Sequence, residues 1–165
     1  MNDESPKITH LDDNGDLRMV DVSRKTPSWR TASAKALVRF PAEVYAAIQA
    51  NKGQLKKGSI FEVSRIAGIT AAKRCADLIP LCHPLALERC DIHFIHHTEA
   101  CVIEVQSELG LSGKTGVEME ALTAVSGAAL CLYDMAKALS HDIVIEEISL
   151  VAKQGGKRDF DRRQP

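Results

Sequence analysis

Alternating apolar and polar residues predict five strands along the chain. Residues 34–40 place small or apolar side chains at every second position, which is typical of a strand with one buried face. Residues 88–97 and 101–109 alternate in the same way, and the short polar link between them indicates an antiparallel hairpin. Two shorter apolar runs, residues 19–23 and 143–151, each predict one further strand.

Helical spacing of apolar residues predicts three helices. The first begins at Pro41, since proline is favoured in the first turn of a helix. The second begins at Ser59, because Ser59 and Glu62 have the spacing of a capping box. We expect the second helix to bury a stripe that consists of Phe61, Ile66, Ile69 and Ala72. The third and longest helix follows a Gly-Lys-Thr-Gly loop and has its apolar positions at Met119, Leu122, Val125, Ala129, Leu132 and Met135.

The order of these elements is strand, strand, helix, helix, hairpin, helix, strand. This order predicts an α+β fold with a mainly antiparallel sheet covered by helices on one face. We expect a single domain over residues 9–160, between a mobile tail over residues 1–8 and a frayed tail over residues 161–165. Residues 24–33 predict a loop whose three cations are either solvated or bind phosphate.

Composition narrows the class of protein. Hydrophobic residues make up 45% of the 165 residues and charged residues 26%, which is typical of a globular protein. No apolar run reaches about 18 residues and no secretory signal precedes the first charged segment, so we expect a cytoplasmic protein without a membrane partner. The net charge of −1 gives no overall field for nucleic acid, so we expect no nucleic-acid partner.

The cysteines and histidines do not predict a disulfide framework or a metal site. The five cysteines form an odd number without a Cys-x-x-Cys pair, which argues against a disulfide framework and favours small buried thiols. Cys82 and His83 are adjacent, and His96, His97 and Glu99 fall at the tip of the hairpin. Neither group has a usual chelating spacing, so we predict no metal ligands.

The third helix carries polar groups where a core helix would have none. Glu120 and Asp134 fall within roughly 40° of each other around the helix, about four turns apart. Lys137 lies at the i,i+3 spacing that brings its side chain to Asp134. This pattern indicates a site. The alternative stays open, because acids near the start of a helix and a lysine near its end are favoured by the helix dipole alone.

Two further features have more than one interpretation. The Gly-Lys-Thr sequence at 113–115 does not form a nucleotide-triphosphatase loop, since the glycine required five positions earlier is Glu108. His83 lies on an apolar segment between Pro80 and Pro84, and Pro84 restricts it to an extended conformation. A histidine held in this way is either a general acid or base at neutral pH or a hydrogen-bonded core residue.

Five stretches resemble the cyclic pyranopterin monophosphate synthase family, also called the molybdenum cofactor biosynthesis protein C family. They are MVDVS at 19–23, RIAGITAAKR at 65–74, DLIPLCHPL at 77–85, LSGKTGVEMEALTA at 111–124 and YDMAK at 133–137. The resemblance runs from about Thr9 to Phe160, in the same order and with matching gaps. The chain departs from the family pattern at Ser59, at Ala76 and in a shortened tail after Lys157.

The resemblance implies a ferredoxin-like fold and a lyase. The implied substrate is 3',8-cyclo-7,8-dihydroguanosine triphosphate, a cyclised dihydro-GTP made by a partner radical enzyme, and the products are cyclic pyranopterin monophosphate and diphosphate. The implied assembly is a homohexamer, a trimer of dimers with active sites at subunit interfaces. No organic cofactor or redox change is implied, although Mg²⁺ can accompany the diphosphate.

The resemblance also assigns residues. It places Lys57, Lys137, Asp134 and His83 in catalysis. It places Arg30, Lys73, Cys82, His83, Glu118, Met119, Glu120, Lys153 and Lys157 in substrate binding. The cations suit a triphosphate, and the carboxylates and imidazole suit proton transfer along a purine-derived ring. A binding module without turnover is the alternative, but phosphate binding alone would not need the carboxylates.

Overall fold

In the computed structural model, which describes residues 10–12 and 14–163, the chain alternates between a central sheet and helices. The strands are β1 (Ser28–Arg39), β2 (Gln54–Leu55), β3 (Gly58–Ser59), β4 (Arg89–His97), β5 (Val102–Gly113), β6 (Val144–Gln154) and β7 (Phe160–Asp161). The helices are α1 (Ala42–Ala50), α2 (Ile60–Lys73), α3 (Cys75–Leu78) and α4 (Glu118–Ala136), with a 3₁₀ turn at Thr98–Ala100. The tail predicted over residues 1–8 lies outside the described residues.

The main sheet has the strand order β4-β5-β1-β6-β7, and all its neighbouring strands pair antiparallel. Its four long strands and the two long helices follow the order βαββαβ, with β1 in the centre between β5 and β6. This is the ferredoxin-like arrangement, so the predicted α+β class is confirmed. The short strands β2 and β3 form a separate hairpin.

Helices α2 and α4 cover one face of the sheet. On β1 the buried residues are every second one, Ala32, Ala34, Ala36 and Val38, as strand geometry requires. Helix α4 packs on β1, β5 and β6, while α2 packs on β4 and against α4. The core between them is mainly aliphatic, and Ile48, Ile60, Ile92, Ile103, Leu109 and Leu132 are among its largest fully buried side chains.

Helix α2 begins where it was predicted to begin, but the face that it buries against α4 consists mostly of small residues. The Ser59 hydroxyl accepts a hydrogen bond from the Glu62 backbone N–H, which confirms the predicted helix start. The predicted buried stripe is wrong at Ile66, which is 64% exposed. The residues of α2 that are buried are Ile60, Ser64, Gly68 and Ala72, at four-residue spacing. The difference follows from side-chain size. Two helices that pack closely bury their small residues at the contact, and the larger Ile66 lies to the side of it.

Gly68 is expected to be intolerant of a side chain. A Cβ at this position would lie 2.9 Å from the Ala124 carbonyl oxygen and 3.1 Å from the Ala128 Cβ. Gly68→Val should therefore lower the free energy of unfolding by about 2–3 kcal/mol through overpacking. Calorimetry should show a fall of about 4–12 °C in Tm. The control Thr70→Val adds a valine on the exposed side of α2 and should change little, and equal Tm values for the two variants would contradict the packing argument.

Two strand boundaries differ from the prediction. Residues 19–23, predicted as a strand, have no regular structure, and β1 begins at Ser28 inside the segment predicted as a loop. Val20 and Val22 line a cavity instead of pairing with the sheet, which explains their apolar pattern. Residues 28–33 pair with β5 as far as Gly113, and their polar side chains concealed the strand from an argument based on alternation.

The chain's last described residues lie at the edge of the sheet. The segment 161–165 is predicted to fray, but Phe160–Asp161 pairs with β6 as β7. The Arg162 backbone N–H donates to the Val151 carbonyl oxygen at 2.8 Å. Residues 164–165 lie outside the part of the chain that the structure describes.

Candidate active site

A cavity of about 820 Å³ lies beside the start of α4 and is strongly cationic. Its lining includes the six cations Lys25, Arg30, Lys114, Lys153, Lys157 and Arg158. Among its described lining residues, Glu118 is the only carboxylate. Ammonium and guanidinium groups gathered around one space suit a ligand with several negative charges, such as a phosphate chain.

Neighbouring strands and glycine turns build the wall of this cavity. Arg30 on β1 and Lys153 on β6 lie on paired strands, and Arg30 Nε donates to the Gly113 carbonyl oxygen at 3.4 Å. Gly155 has φ +85°, and a Cβ there would lie 1.9 Å from the Trp29 carbonyl oxygen. Only glycine fits this position, because the chain must turn tightly against β1 to bring the following residues to the cavity.

A second cavity of about 490 Å³ adjoins the first. The two share the lining residues Lys25, Thr115, Gly116, Glu118 and Lys157. The second cavity adds apolar side chains from two segments, Val20, Val22, Leu81 and Leu85, and the predicted binding residues Cys82, His83, Met119 and Glu120. Apolar walls with a few carboxyl, thiol and imidazole groups suit a flat heterocycle that needs orienting contacts.

Glu118 and Glu120 occupy different environments although they are two residues apart. The half-buried Glu118 forms an ion pair with Lys153 at 2.9 Å. Glu120 is only 4% exposed, and this burial raises the pKa of its carboxyl. The Glu118 carboxylate raises it further, while a hydrogen bond from its own backbone N–H and the Cys75 thiol lower it. Glu120 therefore keeps a proton to higher pH than an ordinary carboxyl, which suits a general acid.

The raised pKa of Glu120 should also make stability depend on pH. Between about 4.5, the ordinary pKa, and its folded pKa, the folded state binds more protons than the unfolded state, so stability falls as pH rises. Glu120→Gln removes this dependence. The Tm of Glu120→Gln minus that of the parent should therefore increase from pH 4 to pH 8. The increase should be about 2–4 °C for each kcal/mol of unfolding free energy that the parent loses over this range. A constant Tm difference across this range would contradict the account.

Lys57, Asp134 and Lys137 form a separate, exposed cluster. Lys57 lies in the turn between β2 and β3, and Lys137 directly follows α4. Asp134 binds both ammonium groups, through Oδ1 to Lys137 at 2.7 Å and through Oδ2 to Lys57 at 3.6 Å. The Lys137 ammonium, followed by that of Lys57, lowers the pKa of Asp134, and Asp134 raises the pKa of Lys137. The predicted proximity of Asp134 and Lys137 is confirmed.

The lysine cluster and the cavities lie at opposite ends of α4. Glu118 begins the helix and Asp134 lies in its last turn, which is a separation of about 24 Å at ~1.5 Å per residue. Within the described chain, therefore, the predicted catalytic lysines do not reach the cationic cavity. Lys73 is exposed at the end of α2 and is not in the lining of either cavity.

Several residues that line the cavities are not among the site residues assigned from the family resemblance, although Lys25 belongs to the loop whose cations were predicted to be either solvated or bound to phosphate. They are His10, Lys25, Ser28, Lys114, Thr115 and Arg158. The sequence did contain signals for a phosphate site. The segment of residues 24–33 is rich in cations, and the Gly-Lys-Thr-Gly loop carries an ammonium group. The sequence could not show that these segments lie close together. In the structure Lys114 Nζ donates to the Ser23 carbonyl oxygen at 2.8 Å, which joins the Gly-Lys-Thr-Gly loop to the segment before β1.

His96 and His97, the adjacent histidines at the end of β4, face opposite sides of the sheet. His96 Nδ1 lies 2.7 Å from Gln49 Nε2 on the helix side, while His97 Nε2 lies 2.9 Å from Glu104 Oε2 on the open side. This alternation follows from their adjacent positions on a strand. Within residues 10–12 and 14–163, no group of three or more His, Cys, Asp or Glu residues could hold a metal ion.

The fold and the paired cavities define an α+β protein in which a cationic cavity adjoins a partly apolar one. The MoaC family model matches residues 19–156. The chain belongs to the MoaC family. Among the described residues, none of the helices combines the length and hydropathy needed to cross a bilayer.

Three relatives, each named cyclic pyranopterin monophosphate synthase, align with most of the chain. The protein from Heliobacterium modesticaldum is 49% identical over 150 residues, which covers 91% of this chain and 93% of the relative. That from Parvibaculum lavamentivorans is 51% identical over 151 residues, covering 92% and 93%. That from Xanthomonas axonopodis pv. citri is 47% identical over 163 residues, covering 99% and 98%.

Proposed function

We propose that this protein converts 3',8-cyclo-7,8-dihydroguanosine triphosphate into cyclic pyranopterin monophosphate and diphosphate in molybdenum cofactor biosynthesis. The observation that carries the proposal is the pair of adjoining cavities, one cationic and one lined by carboxyl, thiol and imidazole groups, which meet at Glu118. The names of three relatives that align along most of the chain support the same activity.

The triphosphate binds in the cationic cavity, where Arg30, Lys153 and Lys157 contact its oxygens. The guanine-derived ring binds in the adjoining cavity, against Met119 and Cys82. Opening the five-membered ring and forming the pterin requires protons to be delivered and removed at ring nitrogen and carbon atoms. Glu120, whose pKa is raised by burial, and His83 supply and accept these protons.

Forming the cyclic phosphate requires a sugar-derived hydroxyl to attack the α-phosphorus while the bond to the leaving diphosphate breaks. Negative charge then accumulates on the diphosphate, and nearby ammonium groups stabilise it. Lys57 and Lys137, oriented by Asp134, are the groups assigned to this step. Lys73 is assigned to substrate binding on the family resemblance.

Within one chain, the lysine cluster and the cavities lie at opposite ends of α4. We therefore propose that a second copy of the chain completes the site. In a two-fold dimer each copy presents the same surface to the other, which allows the cluster at one end of α4 to meet the partner's cavity. The proposed assembly is a homohexamer built as a trimer of such dimers. Each dimer would then contain two complete sites.

We further propose that the reaction needs no organic cofactor, and that Mg²⁺ accompanies the diphosphate through its oxygens. The substrate is a product of radical chemistry, so a radical enzyme in the same compartment, the cytoplasm, must supply it. No nucleic acid or membrane takes part.

The direct test is to supply purified protein with the cyclised dihydro-GTP and to measure diphosphate release together with the pterin chromophore. The proposal predicts that both appear in equal amounts. Substrate binding without either product would instead identify a binding module. In that case Ser59 and Ala76, where the chain departs from the family pattern, would be the first positions to exchange.

A further inference from the structure

A cluster of buried polar side chains lies behind the second cavity. Cys75, at the start of α3, is 2% exposed, and Glu120 and Thr123 on α4 are 4% and 8% exposed. The Thr123 hydroxyl donates to the Cys75 sulfur at 3.5 Å. Glu120 and Thr123 are three residues apart on α4, so their side chains lie on the same face of the helix and both point to Cys75. The Cys75 thiol interacts electrostatically with the Glu120 carboxyl and with the thiol of Cys82, which lines the cavity. One buried thiol therefore joins both helices to the cavity wall.

The Cys75 thiol is a hydrogen-bond donor here and not a nucleophile. Burial raises its pKa to about 11, so the sulfur keeps its proton at neutral pH. Thr123 donates to the sulfur, so the S–H proton can be given to either of two acceptors, the Glu120 carboxylate or the sulfur of Cys82. The ionised carboxylate is the stronger acceptor, because hydrogen bonds to a charged group are about twice as strong as those between neutral groups. Donation to the ionised carboxylate lowers the pKa of Glu120 and opposes the effect of burial.

Resting on the proposed function, we propose that Cys75 is a positioning residue for Glu120. Its S–H group, oriented by Thr123, directs the Glu120 carboxyl towards the ring of the substrate and sets the fraction that is ionised. The cysteine touches no part of the substrate, so it acts through Glu120 alone.

Other titratable and charged groups line the cavity around Glu120. Glu118 lies in the same turn of α4, and Cys82 and His83 belong to the 77–85 segment that forms the opposite wall. Lys25 and Lys157 line the same cavity from the segment before β1 and the segment after β6. These groups are unchanged in variants of Cys75, so a shift in such variants reports on the thiol.

The first test compares Cys75→Ala and Cys75→Ser by kcat, KM and the pH dependence of kcat, under reducing conditions. Cys75→Ala should lower kcat by roughly 3–10-fold and move the limb due to Glu120 to higher pH, while Cys75→Ser, which keeps a donor, should restore both. Cys131→Ala, which removes a half-buried thiol from the far half of α4, is the matched control and should leave the profile unchanged. Superimposable profiles for Cys75→Ala and the parent would overturn the proposal.

A second test does not depend on turnover. The Cδ resonance of Glu120 in ¹³C-labelled protein, assigned by its loss in Glu120→Gln, is titrated in the parent and in Cys75→Ala. The midpoint should be higher in Cys75→Ala, and equal midpoints would overturn the proposal even if the parent is active. If the parent makes no product, the proposed function fails, yet this titration still decides whether Cys75 controls Glu120. Should Cys75→Ala not fold, Thr123→Val should show a smaller shift in the same direction.

Discussion

Lys57→Ala should lower product formation by about 10²–10⁴-fold. The Lys57 ammonium contacts Asp134 both at a carboxylate oxygen and at the backbone carbonyl, at 3.6 Å and 3.4 Å. In the proposed reaction this ammonium stabilises the charge that develops on the leaving diphosphate, and alanine offers neither charge nor proton. Because Lys57 is exposed, its loss should leave Tm nearly unchanged. Released diphosphate and the pterin chromophore are measured under single-turnover conditions.

Lys56→Ala is the matched control for this prediction. Lys56 is the preceding residue in the same turn and is also exposed, so the two variants differ only in which ammonium is lost. The control should keep nearly full activity. Normal product yield from Lys57→Ala would contradict the assignment, as would an equal loss in both variants.

Lys153→Ala should lower kcat/KM by about 10–100-fold, through weaker binding of the triphosphate. Two effects act together. A charge-assisted contact with phosphate is lost, and the Glu118 carboxylate, 2.9 Å from the Lys153 ammonium, is left unpaired beside the ligand's negative charges. Calorimetric titration with diphosphate should show the same loss of affinity.

The double variant Lys153→Ala with Glu118→Gln separates these two effects. It should recover part of the diphosphate affinity, because it removes the repulsion but not the missing contact. Lys35→Ala is the control, since Lys35 forms an ion pair with Glu147 at 3.2 Å on the uncovered side of the sheet. A similar loss of affinity in Lys35→Ala would show that net charge matters and the cavity does not.

Alternation and capping signals were sufficient for the parts of the fold that pack against the core. The strand over residues 34–40, the 88–109 hairpin and the helix start at Ser59 were all predicted, because their side chains face either core or solvent. The same logic failed where side chains face a cavity. Val20 and Val22 resembled a strand but line the second cavity. The start of β1 resembled a loop, because its residues Ser28, Arg30 and Thr31 are polar and line the cationic cavity.

The candidate site was predicted by residue type but not by arrangement. Helical spacing placed Lys137 beside Asp134, and the structure confirms that contact. Joining Lys57 to the same carboxylate requires the β2–β3 hairpin to reach the end of α4, and a contact between residues 77 positions apart has no local signal. The environment of Glu120 likewise depends on Cys75 from another helix, so its raised pKa was not predictable from α4 alone.

The measurement that tests the two-copy site most directly is to mix the variants Lys57→Ala and Lys153→Ala in subunit-exchanged oligomers and to assay them at substrate concentrations below KM, where each variant alone is strongly impaired. If the lysine cluster of one copy serves the cavity of another, a mixed dimer holds one intact site and one doubly altered site. Random exchange should then restore about a quarter of the parent activity. Mixing Lys57→Ala with Lys137→Ala should restore none, because both changes affect the same cluster and every site keeps one of them. An inactive Lys57→Ala and Lys153→Ala mixture, with subunit exchange verified by mass spectrometry, would contradict the account.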